Sequence, residues 1–192
     1  MPDPLIVSIG ENGCANAPVP RSVAHRAPGV LHLAVSLQVV DTEGCGWLLQ
    51  RRGASKALFP GLWANTCCTH PAPGEEPASA AIRRLREETG LVVEGLVDAG
   101  PFSYRAVDSR SGLVEHEQDH VFVALADTSI ARADPEEIGE LAVFAFVDAL
   151  ALVESTAGAP WAAEVLRRSF TALNGRRQKQ RDGRPRLDQR EQ

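Results

Sequence analysis

The chain has 192 residues, of which 44% are hydrophobic and 23% are charged, and its formal net charge is −5. A chain of this length and composition is expected to form one globular domain around one core. No apolar run is long enough to cross a bilayer, and the first residues lack the basic-then-apolar pattern of a secretory signal. We therefore expect a cytoplasmic protein with no membrane partner.

The end of the chain differs in charge from the rest. Residues 176–190 carry seven Lys and Arg residues against two Asp residues, so this segment is basic and the body is acidic. The segment has no interleaved aromatic residues and no recognisable nucleic-acid-binding fold. We predict a folded domain over residues 1–173, a disordered basic tail over residues 174–192, and no nucleic-acid partner.

Three strands are predicted in the first part of the chain. Leu5–Ile9 is short and apolar, while residues 14–29 are loop-like because they contain three prolines. Val30–Val40 alternates between apolar and polar residues, as a strand with one core face does. His32 falls on the polar side of this strand, which favours a functional role for it. The third strand is predicted at Trp47–Arg52.

The stretch Trp63–Pro71 concentrates reactive groups, with two thiols, an imidazole and an indole in nine residues. Cys67 and Cys68 are adjacent and would close almost no loop, so they are expected to be free thiols rather than a disulfide. In an extended backbone, Cys68 and His70 point to one side and Cys67 to the other. We predict that this stretch forms the floor of an active site.

A helix is predicted from Pro77 to Gly90, because proline suits a first helical turn, glycine suits a helix end, and apolar residues recur at helical spacing. The remaining predicted elements are strands at 91–97, 102–107, 113–126 and 141–147, a helix from Asp148 as its cap to Val153, and a last helix at 161–173.

Glu115 and Glu117 lie two residues apart on a predicted strand, so they project to the same side. Two neighbouring carboxylates repel each other unless a proton or a cation lies between them. With three histidines they form a natural set for one divalent metal such as Mn, Zn, Fe or Mg. The set is His25, His32, His70, Glu115 and Glu117. A structural zinc site formed by Cys67, Cys68 and His70 is the alternative, but it lacks the usual C-x2-C spacing.

The predicted helix carries a partial match to the Nudix box, G-x5-E-x7-R-E-U-x-E-E-x-G-U, where U is a bulky aliphatic residue. The matching residues are Glu75, Arg83, Leu85, Glu87, Glu88, Gly90 and Leu91. Thr69 stands at the glycine of the box and Arg84 at one of its glutamates. This resemblance implies a single-domain Nudix-type α/β/α sandwich with a mixed sheet, whose hydrolytic metal cluster has lost a carboxylate.

Over residues 21–170 the chain resembles the type I isopentenyl-diphosphate Δ-isomerases. The residues that carry this resemblance are Ala24-His25, Leu31 to Ala34, Arg51-Arg52, Ser55-Lys56, Pro60 to Trp63, Asn65 to Pro71, Tyr104 to Ala106, Gly112 to Glu117, and Pro160-Trp161. The resemblance implies an isomerase of isoprenoid biosynthesis with a small-molecule substrate. It would interconvert isopentenyl and dimethylallyl diphosphate through a tertiary carbocation.

The resemblance also implies a role for each candidate residue. The catalytic residues would be Cys68, Glu117 and Tyr104. One divalent metal, Mn²⁺ or Zn²⁺, would be held by His25, His32, His70, Glu115 and Glu117. Mg²⁺ would be held by Glu88, the carbonyl of Cys68 and the substrate diphosphate. The other substrate-binding residues would be Arg21, Arg52, Lys56 and Arg84 around the diphosphate, and Trp161 beside the carbocation.

The chemistry of this reaction agrees with these residue types. Protonating an alkene and removing a proton from the neighbouring carbon needs an acid and a base on opposite faces, and an indole face tolerates a cation without attacking it. Two alternatives stay open. A Nudix diphosphohydrolase acting on a nucleotide-type substrate would leave Arg84 and Cys68 unexplained, and a metal-stabilised binding module would leave the acid and base unused. We expect a monomer or weak homodimer.

Overall fold

The computed structural model describes residues 3–182, which form nine strands and four α-helices. The strands are β1 Leu5–Ile9, β2 Ala15–Pro20, β3 His32–Asp41, β4 Gly46–Arg52, β5 Trp63–Ala64, β6 Cys67–Thr69, β7 Val97–Val107, β8 Val114–Ala126 and β9 Ile138–Ala145. The helices are α1 Arg21–Ala24, α2 Pro77–Thr89, α3 Phe146–Glu154 and α4 Ala162–Asp182. In this part of the chain no helix combines the length and apolar character needed to cross a bilayer.

Strand β3 lies at the centre of a mixed sheet. On one side it pairs in parallel with β8 along its whole length, from His32 beside Glu117 to Asp41 beside Ala126. On its other side it pairs antiparallel with β1, β6 and β4 in turn. Strand β7 extends the sheet beyond β8, and β9 extends it beyond β4. The arrangement brings β6 and β8, which carry Cys68 and Glu117, to opposite edges of β3.

Helices cover both faces of the sheet. On one face Leu85 of α2 packs with Val35 and Leu37 of β3, and on the other Val165 and Leu166 of α4 pack with a second core cluster. This arrangement confirms the predicted single-domain α/β/α sandwich with a mixed sheet. Because β3 is covered on both faces, its polar positions do not face solvent. His32 lies on the polar side of β3 as predicted, opposite Val35 and Leu37, but that side is enclosed as well, so its side chain is fully buried.

Two predictions of local structure are wrong. Residues 14–29 are not all loop, because β2 pairs with β1 and α1 follows it. Prolines are tolerated in β2 because it lies at an edge and needs fewer N–H donors. Residues 91–96 form no strand, because Leu91 and Val93 pack their apolar side chains into the core below α2 without a partner strand.

The helices also begin and end at other residues than predicted. Helix α3 starts at Phe146, so Asp148 lies in its first turn rather than at its cap. Helix α4 continues past the predicted end at Leu173 to Asp182. Its later turns contain good helix formers, and Arg177 donates a hydrogen bond of 3.2 Å to the carbonyl of Glu43. The predicted tail thus begins inside a helix, and its residues 183–192 lie outside the described residues.

Gly158 allows a close backbone contact before α4. A Cβ at this position would overlap the backbone carbonyl of Val153, and Gly158 itself bridges to Trp63. Gly158→Ala is therefore expected to lower the free energy of unfolding by about 1–3 kcal/mol, the usual cost of overpacking. Urea denaturation measures this change. Gly95→Ala is the matched control, since its Cβ would meet open space, and an equal loss in both variants would contradict the packing argument.

Candidate active site

Three histidines from separate elements meet at one end of the sheet. His25 follows α1, His32 begins β3, and His70 follows β6. Their ring centroids are 4.8 to 5.2 Å apart. The chain therefore brings together three residues that the sequence scatters over 46 positions.

The backbone fixes the orientation of two of these rings. The Nδ1 atoms of His25 and His32 lie 3.0 and 2.7 Å from the carbonyl oxygens of Val114 and Val30. Because a carbonyl only accepts, each Nδ1 must carry the hydrogen, which leaves each Nε2 with a free lone pair. The Nε2 atom of His32 faces that of His70 at 3.1 Å. Such backbone bonds commonly orient imidazoles that bind metals.

Glu115 and Glu117 project from β8 towards the histidines, as their spacing predicts. Glu115 Oε2 lies 3.1 Å from His25 Nδ1, and Glu117 Oε1 lies 3.0 Å from His70 Nε2. Burial, together with the charge of Glu117, raises the pKa of Glu115. Burial also acts to raise the pKa of Glu117, but hydrogen bonds with His32 and His70 outweigh it and hold the pKa well below its usual value.

The chemistry of this cluster fits a divalent metal ion. One ligand atom from each of His25, His32, His70 and Glu115 lies within 4.8 Å of the others. Among the described residues, His25 Nε2 is buried and has no hydrogen-bond partner, which is costly unless a ligand binds it. Burial lowers the pKa of His70 to about 4, although the hydrogen bond and charge of Glu117 act to raise it. The imidazole is therefore neutral at pH 7 and able to bind a metal ion.

His32→Ala is expected to reduce the amount of divalent metal that copurifies with the protein, because its buried ring offers one of the four clustered ligand atoms. Elemental analysis of the purified variant measures the loss directly, without an activity assay. His120→Ala is the control, because His120 is partly exposed and pairs with Asp98 instead. Unchanged metal stoichiometry in folded His32→Ala would contradict a ligand role for His32.

Treatment with a chelator should inactivate the wild-type protein.

Cys68 lies in a polar environment that the sequence does not reveal. Its sulfur is 3.3 Å from the hydroxyl of Ser36 and donates a hydrogen bond of 3.3 Å to Asn65 Oδ1. Ser36 in turn donates to Asp119 at 2.7 Å. The pKa of Cys68 is raised to about 12, mainly by burial and secondly by the charge of Asp119. The side chain is therefore a thiol at neutral pH.

Cys67 points the other way, as its position next to Cys68 predicts. It is buried with Ala81 and Leu85 of α2 on the opposite face of the sheet. Burial raises its pKa well above the usual range. The alternative zinc site, which needs both thiols beside His70, is therefore not supported by the geometry.

Asn65 connects Cys68 to Trp161. Its amide nitrogen donates to the carbonyls of Leu37 and Cys67 at 3.3 and 2.9 Å, so its oxygen must face the other way. That oxygen accepts hydrogen bonds from the Cys68 thiol and from the indole nitrogen of Trp161 at 3.1 Å. Asn65 thus fixes both side chains, a role that its type and position in the sequence do not indicate.

Tyr104 and Trp161 complete the apolar part of the site. The Tyr104 hydroxyl donates to Glu117 Oε2 at 2.7 Å. Its ring centroid is 5.8 Å from that of Trp161, which is buried. Glu117 therefore presents one oxygen to the histidines and the other to Tyr104.

These residues line an open cleft of about 1110 Å³. The other end of the cleft carries cationic side chains and is called its basic end. Cys68, His70, Tyr104, Glu115, Glu117 and Trp161 line the cleft together with Arg21, Arg52, Lys56 and Arg84. His25, His32 and Glu88 are not among its lining residues and lie behind its surface. Arg83 also lines it, so one cleft combines a thiol, an indole, several carboxylates and five cationic side chains.

The basic end contains two carboxylates. Buried Glu88 lies 2.6 Å from Arg84 and 3.6 Å from Lys56. Glu137 lies 2.9 Å from Arg84 and also pairs with Lys56. The box predicts a role for Glu88, whereas no sequence pattern predicts one for Glu137, which comes from the segment before β9.

Arg52 is held by backbone carbonyls rather than by a carboxylate. Its Nε donates to Phe59 at 3.1 Å, and its Nη2 donates to Leu58 at 2.8 Å. Its guanidinium carbon lies 5.1 Å from the ring centroid of Trp161. Phe59 has a φ of +49°, which is unfavourable for a residue with a side chain, and its N–H donates to buried Asp108 at 3.3 Å. This strained turn directs its carbonyl at Arg52.

Comparisons with known proteins agree with this geometry. The family profile of the NUDIX domain matches residues 30–169. The isopentenyl-diphosphate Delta-isomerase of Streptomyces griseus is 48% identical over 159 residues, covering 83% of this chain and 78% of the relative. That of Nocardia farcinica is 49% identical over 160 residues, covering 82% and 90%. DR0079 from Deinococcus radiodurans shares the fold with a TM-score of 0.70 at 20% identity, over 86% of this chain and 99% of that one.

Proposed function

We infer the function of this chain from its family: it belongs to the Nudix family and, within it, to the isopentenyl-diphosphate Delta-isomerases. We propose that it interconverts isopentenyl and dimethylallyl diphosphate. The relatives named isopentenyl-diphosphate Delta-isomerase cover most of the chain at nearly half identity. The observation that carries the proposal is that Cys68 and Glu117 line the same cleft as Trp161 and five cationic side chains. A thiol and a carboxylate in a cleft with a basic end suit proton transfer on a substrate that has an apolar hydrocarbon part and a diphosphate group.

In the proposed reaction, one proton is added and another is removed. A proton joins the terminal carbon of the alkene, which places the positive charge on the tertiary carbon. Loss of a proton from the neighbouring carbon on the diphosphate side then forms the new double bond, so that no net proton is gained or lost. We assign the two transfers to Cys68 and Glu117, and a hydrogen bond of 2.7 Å allows Tyr104 to exchange a proton with Glu117.

The indole of Trp161 would stabilise the developing cation. Its ring is buried beside Tyr104 and is held by the bond to Asn65. An aromatic face attracts a cation through its quadrupole and forms no covalent bond with it. An aromatic face in place of water beside the cation would also disfavour hydration, which would otherwise give an alcohol.

The metal ligands are also assigned as a proposal. His25, His32, His70, Glu115 and Glu117 would hold one divalent ion, Mn²⁺ or Zn²⁺, and Glu88 with the Cys68 carbonyl would hold Mg²⁺ beside the diphosphate. When bound, these ions would offset the charge of the clustered carboxylates and of the diphosphate. Arg21, Arg52, Lys56 and Arg84 would bind the diphosphate oxygens by charge-assisted hydrogen bonds. The cytoplasmic location and the monomeric or weakly dimeric state stay predictions.

Incubation with isopentenyl diphosphate and Mg²⁺, followed by proton and phosphorus NMR, tests the function. Isomerisation gives the signals of an allylic diphosphate and no free phosphate. Hydrolysis, the alternative, would release phosphate, but the box glutamate that it needs is replaced by Arg84, which pairs with Glu88 and Glu137. A binding module would leave the substrate unchanged. Phosphate release or no reaction in metal-loaded protein would contradict the proposal.

A further inference from the structure

Glu137 bridges two cations at the basic end of the cleft. One carboxylate oxygen lies 2.9 Å from Arg84 Nη2, and the other pairs with Lys56. Burial acts to raise the pKa of Glu137, but the hydrogen bonds from Lys56 and Arg84 outweigh it and lower the pKa to about 2. The side chain is therefore an anion under all ordinary conditions. It occupies the position between these two cations where an anionic ligand would be bound.

The backbone of Glu137 is fixed in this place. Its carbonyl accepts a hydrogen bond of 2.8 Å from the N–H of Gly53, and its own N–H donates to Asp134 at 3.0 Å. Ser55 donates to the neighbouring carbonyl of Glu136 at 2.6 Å. A Cβ on residue 53 would lie only 2.8 Å from the Glu137 carbonyl oxygen, so this close approach requires glycine. The segment is thus docked on the loop that carries Lys56.

The side chain of Glu137 differs from that of Glu88, although both contact the same two cations. The side chain of Glu88 is 1% exposed, whereas that of Glu137 is 28% exposed and lines the cleft. Glu88 is enclosed and cannot leave without unpacking α2. Glu137 can rotate towards solvent about its side-chain bonds while its backbone stays bound. Of the two carboxylates, Glu137 is the one that a ligand can displace.

We propose that Glu137 is an internal competitor for the phosphate-binding cations, which an incoming phosphate group must displace from Lys56 and Arg84. Carboxylate and phosphate oxygens use the same charge-assisted hydrogen bonds to arginine and lysine. The competition weakens every phosphate ligand by a common factor, because each must first break the same internal ion pairs. Inorganic phosphate, which makes few contacts, then binds only weakly, while a diphosphate with more contacts still binds well. This inference deepens the proposed function, since it concerns affinity at the same cleft.

Binding of inorganic phosphate and of pyrophosphate, measured by calorimetry with and without Mg²⁺, tests the inference. In Glu137→Gln, which keeps the shape and removes the charge, both anions are expected to bind at least about tenfold more tightly, the scale of one partly screened charge contact. Glu136→Gln is the matched control. Glu136 is an adjacent exposed residue and forms no ion pair within residues 3–182, so less than a twofold change is expected.

Unchanged or weaker binding in Glu137→Gln would overturn the inference, because Glu137 would then only hold the cations in place. Equal tightening in Glu136→Gln would also overturn it, since the effect would be one of overall charge. If Glu137→Gln fails to fold in a thermal melt, Glu137→Asp takes its place. Its shorter side chain cannot bridge both cations, so tighter binding than wild type supports the inference and unchanged binding overturns it. These assays need no turnover, so they separate this inference from the proposed isomerase activity.

Discussion

Cys68→Ala is expected to abolish practical turnover of isopentenyl diphosphate, with a loss on the order of a hundred- to ten-thousand-fold, because positioned acids and bases contribute roughly 10² to 10⁴. The thiol lines the cleft and is held by Ser36 and Asn65. Its pKa of about 12, raised chiefly by burial, keeps the proton on the sulfur at neutral pH. Alanine fills the site without supplying a proton donor.

Cys67→Ala is the matched control, because it removes the adjacent thiol from the opposite face of the sheet. Cys67 packs against α2 in the core, so its loss should cost some stability but retain much of the turnover. NMR rates for both variants, each checked for folding by thermal melting, provide the comparison. Equal loss of turnover in two folded variants would contradict the assignment of Cys68.

Glu117→Gln is expected to lower turnover by several orders of magnitude while the fold, the bound metal and diphosphate binding persist. Glu117 Oε1 faces His70, and Oε2 accepts the hydrogen bond from Tyr104. An amide oxygen can still ligate a cation, but an amide does not exchange a proton as a carboxylate does. The variant therefore separates proton transfer from metal binding.

Glu115→Gln is the counterpart, because Glu115 and not Glu117 belongs to the tight group of four ligand atoms. We expect weaker metal binding and a loss of activity that added metal partly restores. Turnover and bound metal are measured for both variants across a metal titration. If excess metal rescued Glu117→Gln, the role of Glu117 would be only to hold the metal, and the two-sided acid–base mechanism would be wrong.

The sequence predicts those parts of the site that depend on local periodicity. Alternation along a strand places Glu115 and Glu117 on one side, and it separates Cys67 from Cys68, and the structure has both arrangements. The family and the sandwich fold, which follow from the box and the resemblance, are confirmed by the comparisons. The catalytic and ligand roles stay predictions, which the variants of Cys68, Glu115, Glu117 and His32 test.

The remaining features depend on contacts between distant segments. Ser36, Asn65 and Asp119 are ordinary polar residues in sequence, and only the pairing of β3 with β6 and β8 brings them to the Cys68 thiol. The burial of His32 follows from helices on both faces of the sheet, which alternation within one strand cannot reveal. Glu137 lies in a short acidic segment typical of a solvated loop, so its contact with Arg84 and Lys56 has no local signal.

Turnover of isopentenyl diphosphate in deuterated water tests the central claim most directly. If the reaction adds a proton at one carbon and removes one from its neighbour, the allylic product carries solvent deuterium in a methyl group, which deuterium NMR detects. The account predicts this incorporation in the wild-type protein and its loss, together with turnover, in Cys68→Ala. Product formed without deuterium would show an internal hydrogen shift and would contradict the acid–base mechanism, and release of phosphate would contradict isomerisation itself.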